Sequence, residues 1–237
     1  MATNRFITYL SRVVIFIIAM AFVIKFAGPK ILKQYVSYGI GDCKTIPILC
    51  MQPEEKIFTP EINKEYLDTL VPQTFPKMSI WVPKGFDLIQ ELIKRRYYKK
   101  RHSDNKATIY LLPQKPNDFI KLYPAVKKQG VENNHEFIRR LMHATLNKID
   151  NVTDAFFIIM KSIFTPNIGN QTIAKMIRFK IENKSGFINY TMAKPDNYFD
   201  CNILDDQGNF FKVYIKDIGA HLDLNNVFTI ISTVEPR

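Results

Sequence analysis

Few of the residues that build catalytic and metal sites are present in this sequence. Its 237 residues include three cysteines, four histidines and nine glycines. The histidines form no His-x-x-x-His pair of the kind that binds zinc from one helix face. No Gly-rich phosphate loop and no Gly-x-Ser-x-Gly nucleophile turn occurs. The sequence therefore predicts no metal site and no cofactor, and it favours a binding protein over an enzyme.

Two of the three cysteines lie close together near the N-terminus. Cys43 and Cys50 flank the segment Lys-Thr-Ile-Pro-Ile-Leu, a spacing that does not match a zinc site. In an exported domain the two could close a small disulfide loop, and the alternative is two unpaired thiols. Cys201 stands alone in a predicted strand, where a cysteine usually packs as a small apolar side chain.

Long apolar runs are also scarce, and one lies near a chain end. It extends from Val13 to Ile24, between Arg12 and Lys25. A helix that crosses a bilayer needs about 20 apolar residues, and this run reaches that length only if the flanking cations extend toward the membrane surface. We predict an uncleaved signal anchor, a transmembrane helix within residues 1–33. A cleaved signal peptide and a surface or buried helix are the alternatives.

The anchor also predicts a location for the protein. The short N-terminal tail favours a single-pass membrane protein whose remaining chain is exported to the periplasmic or extracellular side. The lipid bilayer would then be a partner through the apolar run.

Prolines and composition divide the rest of the chain. Residues 34–76 contain several prolines and are predicted to be a juxtamembrane linker with a short helix. Residues 77–237 are predicted to be one α+β domain. A hydrophobic content of 46% and an aromatic content of 13% argue against disorder.

Hydrophobic periodicity predicts three helices in this domain. Apolar residues at helical spacing indicate helices at 132–149 and 222–233. The apolar stretch 154–164 indicates a further helix, with a buried strand as its alternative.

The last third of the chain is mostly predicted strand. The stretch 173–182 alternates, with Arg178 and Lys180 on one face and apolar residues on the other, and turn residues at 183–186 make a hairpin with the next strand. A second hairpin is predicted around 205–208. Since strands and helices are segregated, we predict α+β: an N-terminal transmembrane helix followed by one domain with a largely antiparallel sheet packed by helices.

Two short patterns lie at the ends of the domain. They are Ser79-Ile-Trp-Val-Pro-Lys-Gly-Phe86, around the first strand, and Asn226-Val-Phe-Thr-Ile-Ile-Ser232, in the final helix. In these patterns the chain resembles the PsbP-like family. The resemblance implies an α/β/α sandwich with a final helix on the sheet, and a non-enzymatic binding or assembly module. It transfers no ligand-binding residue.

The net charge is +11, and its most concentrated part is a basic run. The run consists of Lys94, Arg95, Arg96, Tyr97, Tyr98, Lys99, Lys100 and Arg101. Clustered cations with interleaved tyrosines favour contact with anionic lipid, an acidic polymer or an envelope protein, and nucleic acid is unlikely for an exported domain. The alternative is an edge strand that its charges protect from pairing with other sheets.

These features predict a membrane-anchored, exported domain with a non-catalytic binding or assembly role. One alternative is a cytoplasm-facing domain that binds anionic lipid or nucleic acid through the basic run. The other is a membrane-bound enzyme whose site is assembled from distant parts of the chain. Its candidate residues would be His143, Asp200, Cys201 and Asp217.

Overall fold

The structure, a computed structural model, describes residues 27–75, 77–92, 95–100, 108–165 and 174–237. Its helices are α1 (27–40), α2 (Lys64–Leu67), α3 (Asp118–Leu122), α4 (Asn134–His143), α5 (Val152–Phe164) and α6 (Leu224–Ser232). Its strands are β1 (Ile57–Phe58), β2 (Leu70–Phe75), β3 (Met78–Pro83), β4 (Phe86–Leu92), β5 (Arg95–Lys100), β6 (Thr108–Gln114), β7 (Lys175–Ile181), β8 (Lys184–Ala193), β9 (Asp196–Asp205), β10 (Phe210–Ile218) and β11 (Glu235–Pro236). Two 3-10 helices lie at Pro47–Leu49 and Pro124–Gln129.

The central element is an eight-stranded sheet in the order β1-β7-β8-β9-β10-β6-β5-β4. Its strands pair antiparallel except for β1 and β7, so the sheet is mixed. A second, antiparallel sheet has the order β11-β3-β2. The α+β class is confirmed, and so are the two predicted hairpins, β7–β8 and β9–β10.

The sheet is covered on both faces, and each face has its own hydrophobic core. On one face, Phe179 of β7 packs against Phe228 of α6 with ring centroids 5.4 Å apart. On the other face lie α3, α4 and α5, where Phe119 and Phe137 stack at 4.9 Å. We call this second face the helical face. Because successive strand residues point to opposite faces, an apolar residue in β7 faces α6 and its neighbour faces α4.

Local capping fixes where α4 and α5 begin. The Asn133 side chain accepts a hydrogen bond from the backbone N–H of Glu136. Asn151 and Asp154 form a reciprocal capping box at the start of α5. The helix predicted at 154–164 is thus confirmed over its strand alternative. Helix α4 ends at His143, earlier than predicted, because Ala144 adopts an extended backbone conformation.

A buried lysine closes the C-terminal end of α4. The Lys161 ammonium, fully buried, donates hydrogen bonds to the carbonyl oxygens of Met142 at 2.9 Å, Ala144 at 2.8 Å and Met51 at 2.6 Å. The last carbonyls of a helix have no partner within the helix, so Lys161 supplies one. Burial lowers the pKa of Lys161 to about 7. The three carbonyls oppose this shift, because only the ammonium form has three protons to donate.

Residues 34–76, predicted to be a linker, contribute to this same body. Strand β1 extends the main sheet beside β7, and β2 pairs with β3. Cys43 and Cys50 are joined by a disulfide with Cα atoms 5.6 Å apart. The carbonyl of Leu49, inside that loop, accepts a hydrogen bond of 2.8 Å from the N–H of Leu146. The loop and Met51 are therefore held against the helical face.

The prediction of a transmembrane helix, and with it of a single-pass membrane protein with an exported domain, is wrong. No helix within the described ranges is long and apolar enough to cross a membrane. The described helix nearest to the predicted anchor, α1, carries Lys30 and Lys33 within residues 27–40. The run from Val13 to Ile24 itself lies outside the described residues.

Candidate functional site

A groove of about 350 Å³ lies on the helical face, between α4 and the strands β7 and β8. We call it the basic groove. Its lining residues come from four parts of the chain that the fold brings together: Ile57, Asn133, His135, Glu136, Arg139, Arg178, Phe179, Lys180, Ser185, Gly186, Phe187 and Leu204.

The alternation of β7 explains why cations line this groove. Ile177, Phe179 and Ile181 pack in the core on the α6 side. Arg178 and Lys180, at the positions between them, therefore face α4. The prediction placed these two cations on one strand face, but nothing in the sequence showed that α4 would lie opposite.

Among the described residues, a single carboxylate lines the groove, and it is already paired. Glu136 accepts two hydrogen bonds of 2.8 Å from Arg139 and one of 2.7 Å from Arg140. These bonds lower the pKa of Glu136, and the bond from Arg139 has the largest effect. Arg178 and Lys180, in contrast, form no ion pair with any residue that the structure describes. Three cations and one neutralised carboxylate leave the groove with an excess of positive charge.

His135 is oriented by the turn between β9 and β10. Its Nε2 lies 2.9 Å from the carbonyl oxygen of Asp205, so this nitrogen carries the proton and donates it. The Asp205 carboxylate accepts bonds from the backbone N–H groups of Gln207 and Asn209 at 3.0 and 2.8 Å. Asp205 thus shapes the turn, as its sequence context predicted, and its charge is not directed at the groove.

A buried polar cluster adjoins the floor of the groove. The strand register aligns Arg178 with Phe187, Phe187 with Asn202, and Asn202 with Lys212. Asp200 lies opposite Asn189 in β8. We call the following residues the polar centre: Asn189, Asp200, Asn202 and Lys212.

The polar centre holds a buried ion pair with unsatisfied neighbours. Lys212 Nζ lies 2.5 Å from Asp200 Oδ1 and donates to Asn202 Oδ1 at 3.2 Å. Among the described residues, both amide atoms of Asn189 and Nδ2 of Asn202 are buried without a hydrogen-bond partner, and the oxygens of Asp200 have none besides the ion contact with Lys212. Burial raises the pKa of Asp200, against the effect of Lys212. Asp200 and Asn202 are fully buried, so this cluster acts on stability rather than on a ligand.

Gly186, which lines the basic groove, is required by close packing. A Cβ atom at this position would overlap the carbonyl oxygen of Asn202 and lie 3.0 Å from the Phe179 ring. A side chain would therefore push β8 away from β9.

We expect the Gly186→Ala variant to lose about 1–3 kcal/mol of unfolding free energy, because the two strand backbones must separate. The measurement is urea unfolding. Gly39→Ala is the matched control, since a Cβ there meets no atom within 4 Å and alanine favours the helix that holds it. Equal stability of the two variants would contradict the close approach.

The residues proposed for an enzyme site do not come together. The Cys201 side chain packs in the core on the α6 side, and burial raises the pKa of its thiol well above the ordinary value. The Asp217 carboxylate accepts a 2.7 Å bond from the N–H of Leu222. His143 lies on the helical face, edge-on to Phe187 at 5.7 Å, and burial lowers its pKa. A buried thiol without a base beside it is not an activated nucleophile.

The predicted basic run falls largely on β5. This strand pairs with β4 on one side and β6 on the other, so the edge-strand alternative is wrong. Tyr97 lies opposite Tyr110 in the register. Lys94 and Arg101 lie outside the described residues. Binding of anionic groups by the run stays a prediction.

Comparison with known proteins gives no relative from which a role could be transferred. The chain matches no protein-family model and no curated protein. The PsbP-like resemblance therefore stays a hypothesis, and the basic groove is the candidate functional site.

Proposed function

We propose that this domain is a non-catalytic binding module whose basic groove holds a small ligand carrying phosphate or carboxylate groups. The observation that carries the proposal is the position of Arg178. It lies half-buried in the groove and has no carboxylate partner within the described part of the chain. A cation that is partly removed from water gains from a bond to an anion, so an unpaired arginine in a groove favours an anionic ligand.

The groove offers the donors that such a ligand needs. The guanidinium group of Arg178 can form paired hydrogen bonds with a carboxylate or phosphate. Arg139 already donates from Nε and Nη2 to Glu136, so it adds positive charge and its remaining N–H groups. Lys180 adds a point charge, and the Ser185 hydroxyl adds an adaptable donor. A volume of about 350 Å³ falls in the range of small-molecule sites.

A binding role agrees better with the residues of the groove than catalysis does. None of the four residues suggested for an enzyme, His143, Asp200, Cys201 and Asp217, lines the basic groove. The paired Glu136 has a lowered pKa, which makes it a weak general base. The layered arrangement of helices on both sheet faces is further support for the binding or assembly role that the PsbP-like resemblance implies.

The proposal is tested by calorimetric titration of the full chain with inorganic pyrophosphate and, separately, with citrate. We expect saturable binding that weakens with added salt, because it is electrostatic. Arg178→Gln should weaken it roughly 10- to 100-fold, the effect of removing one charged hydrogen-bonding group. Lys180→Gln should have a smaller effect, because its charge is exposed.

Lys175→Gln is the matched control for Lys180→Gln. Lys175 is exposed in the same strand and does not line the groove. Its replacement should leave the affinity unchanged. Unchanged affinity in Arg178→Gln would refute the groove as the site. If the wild-type protein releases phosphate from pyrophosphate and Arg178→Gln does not, the protein is an enzyme and the proposed binding role is wrong.

A further inference from the structure

A second surface, distinct from the basic groove, lies on the outer side of α5. This helix is apolar on nearly all sides: Ala155, Phe157, Ile158 and Met160 are buried in the core on the helical face. Helices with that composition are normally covered all round.

Yet α5 also carries a row of apolar residues that are exposed or only partly buried. They are spaced four, three and four residues apart, which places them along one side of the helix: Val152, Phe156, Ile159 and Ile163. Val152 is 75% exposed and Ile163 is 68% exposed, so most of each apolar side chain remains in water. We call this row the α5 stripe.

An apolar groove of about 410 Å³ adjoins the N-terminal end of the α5 stripe. It lies between the 3-10 helix Pro124–Gln129 and α5, and it is lined mainly by Tyr123, Pro124, Val126, Val152 and Phe156. Its floor is rigid, because Tyr123 stacks on Phe137 at 5.9 Å and meets Phe156 edge-on at 5.5 Å. A preformed concave surface loses little entropy when a side chain enters it.

Two exposed lysines border this apolar surface. Lys127 and Lys128 lie on the 3-10 helix that forms one wall of the groove. Neither pairs with an acid among the residues described. Asp150 and Asp154 line a different groove, which has cations of its own. Glu132 is exposed nearby, and two lysines against this one carboxylate leave positive charge at the rim.

We propose that the α5 stripe and its adjoining groove bind an amphipathic helix of a protein partner that has an apolar face flanked by Asp and Glu. The regular three- and four-residue spacing of the stripe matches the ridges of a packing helix. The groove accepts a projecting apolar side chain, and the lysine rim selects acidic flanks. A flat lipid surface would leave the groove unfilled, so a protein helix fits this surface better than a membrane.

The test measures fluorescence anisotropy of two labelled 18-residue peptides with the full chain. Both peptides carry the same leucine stripe; one has Glu at the flanking positions and the other has Lys. We expect micromolar binding of the Glu peptide and binding at least about tenfold weaker for the Lys peptide. Val152→Ser with Ile163→Ser should weaken the Glu peptide at least about tenfold, because both apolar contacts are lost.

Met192→Ser is the control, because Met192 is 46% exposed and lies at the end of β8, away from α5. All the substituted side chains are exposed, so unchanged thermal midpoints will show that each variant folds. Equal affinity for the two peptides, or affinity unaffected by the stripe substitutions, would overturn the proposal. A third outcome would also overturn it, in favour of a lipid surface. In that outcome the protein binds vesicles of phosphatidylglycerol and phosphatidylcholine but not the Glu peptide, and the stripe variant no longer binds the vesicles.

Discussion

Replacing Lys212 with methionine is expected to cost about 3–5 kcal/mol of unfolding free energy, the usual penalty for leaving a buried charge without its partner. Lys212 is the cation 2.5 Å from the fully buried Asp200. Methionine preserves the apolar stem of the side chain but leaves the carboxylate alone beside unsatisfied amides. Urea unfolding followed by circular dichroism measures the loss.

The double variant Asp200→Asn with Lys212→Met separates the charge from the packing. Once both charges are absent, no ion remains unpaired, so the loss should be at least about 2 kcal/mol smaller than the sum of the single losses. Lys216→Met is the matched control on the same strand. Lys216 is half-buried over the Tyr198 ring at 5.5 Å, and its loss should cost less than about 1 kcal/mol. Additive losses in the double variant would contradict a coupled ion pair.

The second large effect is expected at Lys161. Lys161→Met should lower the free energy of unfolding by about 2–4 kcal/mol, because it leaves three buried or partly buried carbonyl oxygens without the lysine donor. The loss should also loosen the segment that follows the disulfide, since Met51 is one of the three acceptors. Urea unfolding measures the first effect and hydrogen exchange near Leu146 the second. Lys148→Met, an exposed control, should change stability by less than about 0.5 kcal/mol.

Lys161 should also make the stability of the protein depend on pH. The pKa of Lys161 is lowered to about 7 in the fold, whereas its ordinary value is 10.5. Between these values the unfolded chain binds more protons than the folded one, so this residue makes stability rise with pH from about 7 toward 10.5. The difference in unfolding free energy between wild type and Lys161→Met should therefore widen from pH 7 to 9.5. A constant difference would show that the three carbonyls keep the ammonium protonated.

Much of the fold could be predicted from periodicity, because local patterns determine it. Alternating apolar residues in β7 predicted both the strand and the face of Arg178, and turn residues predicted the hairpins. The end of α4 could not be predicted: it depends on Lys161, which arrives from the next helix to bind the last carbonyls. The apolar run from Val13 to Ile24 led to the prediction of a transmembrane helix, which is wrong, since no helix within the described ranges is long and apolar enough to cross a membrane.

The candidate site was only partly accessible to sequence reasoning. The basic groove needs α4 beside β7, a contact between segments about 40 residues apart that no local pattern reports. The polar centre had an available signal. The turn at 205–208 sets the register of the two strands that it joins, and this register places Asn202 opposite Lys212. Polar residues at alternate positions of a buried strand, with a lysine opposite one of them, are the signal that the sequence contained. The basic run drew attention through its density, whereas the unpaired Arg178 is visible only in three dimensions.

The proposed anion site is tested most directly by nuclear magnetic resonance of the full, isotope-labelled chain titrated with inorganic pyrophosphate. We expect the Arg178 Nε–Hε signal and the Ser185 amide signal to shift most and to reach saturation, while the amide signals of β5 stay in place. Shifts that concentrate on Arg95–Lys100, or that remain absent from Arg178 at saturating pyrophosphate, would contradict it.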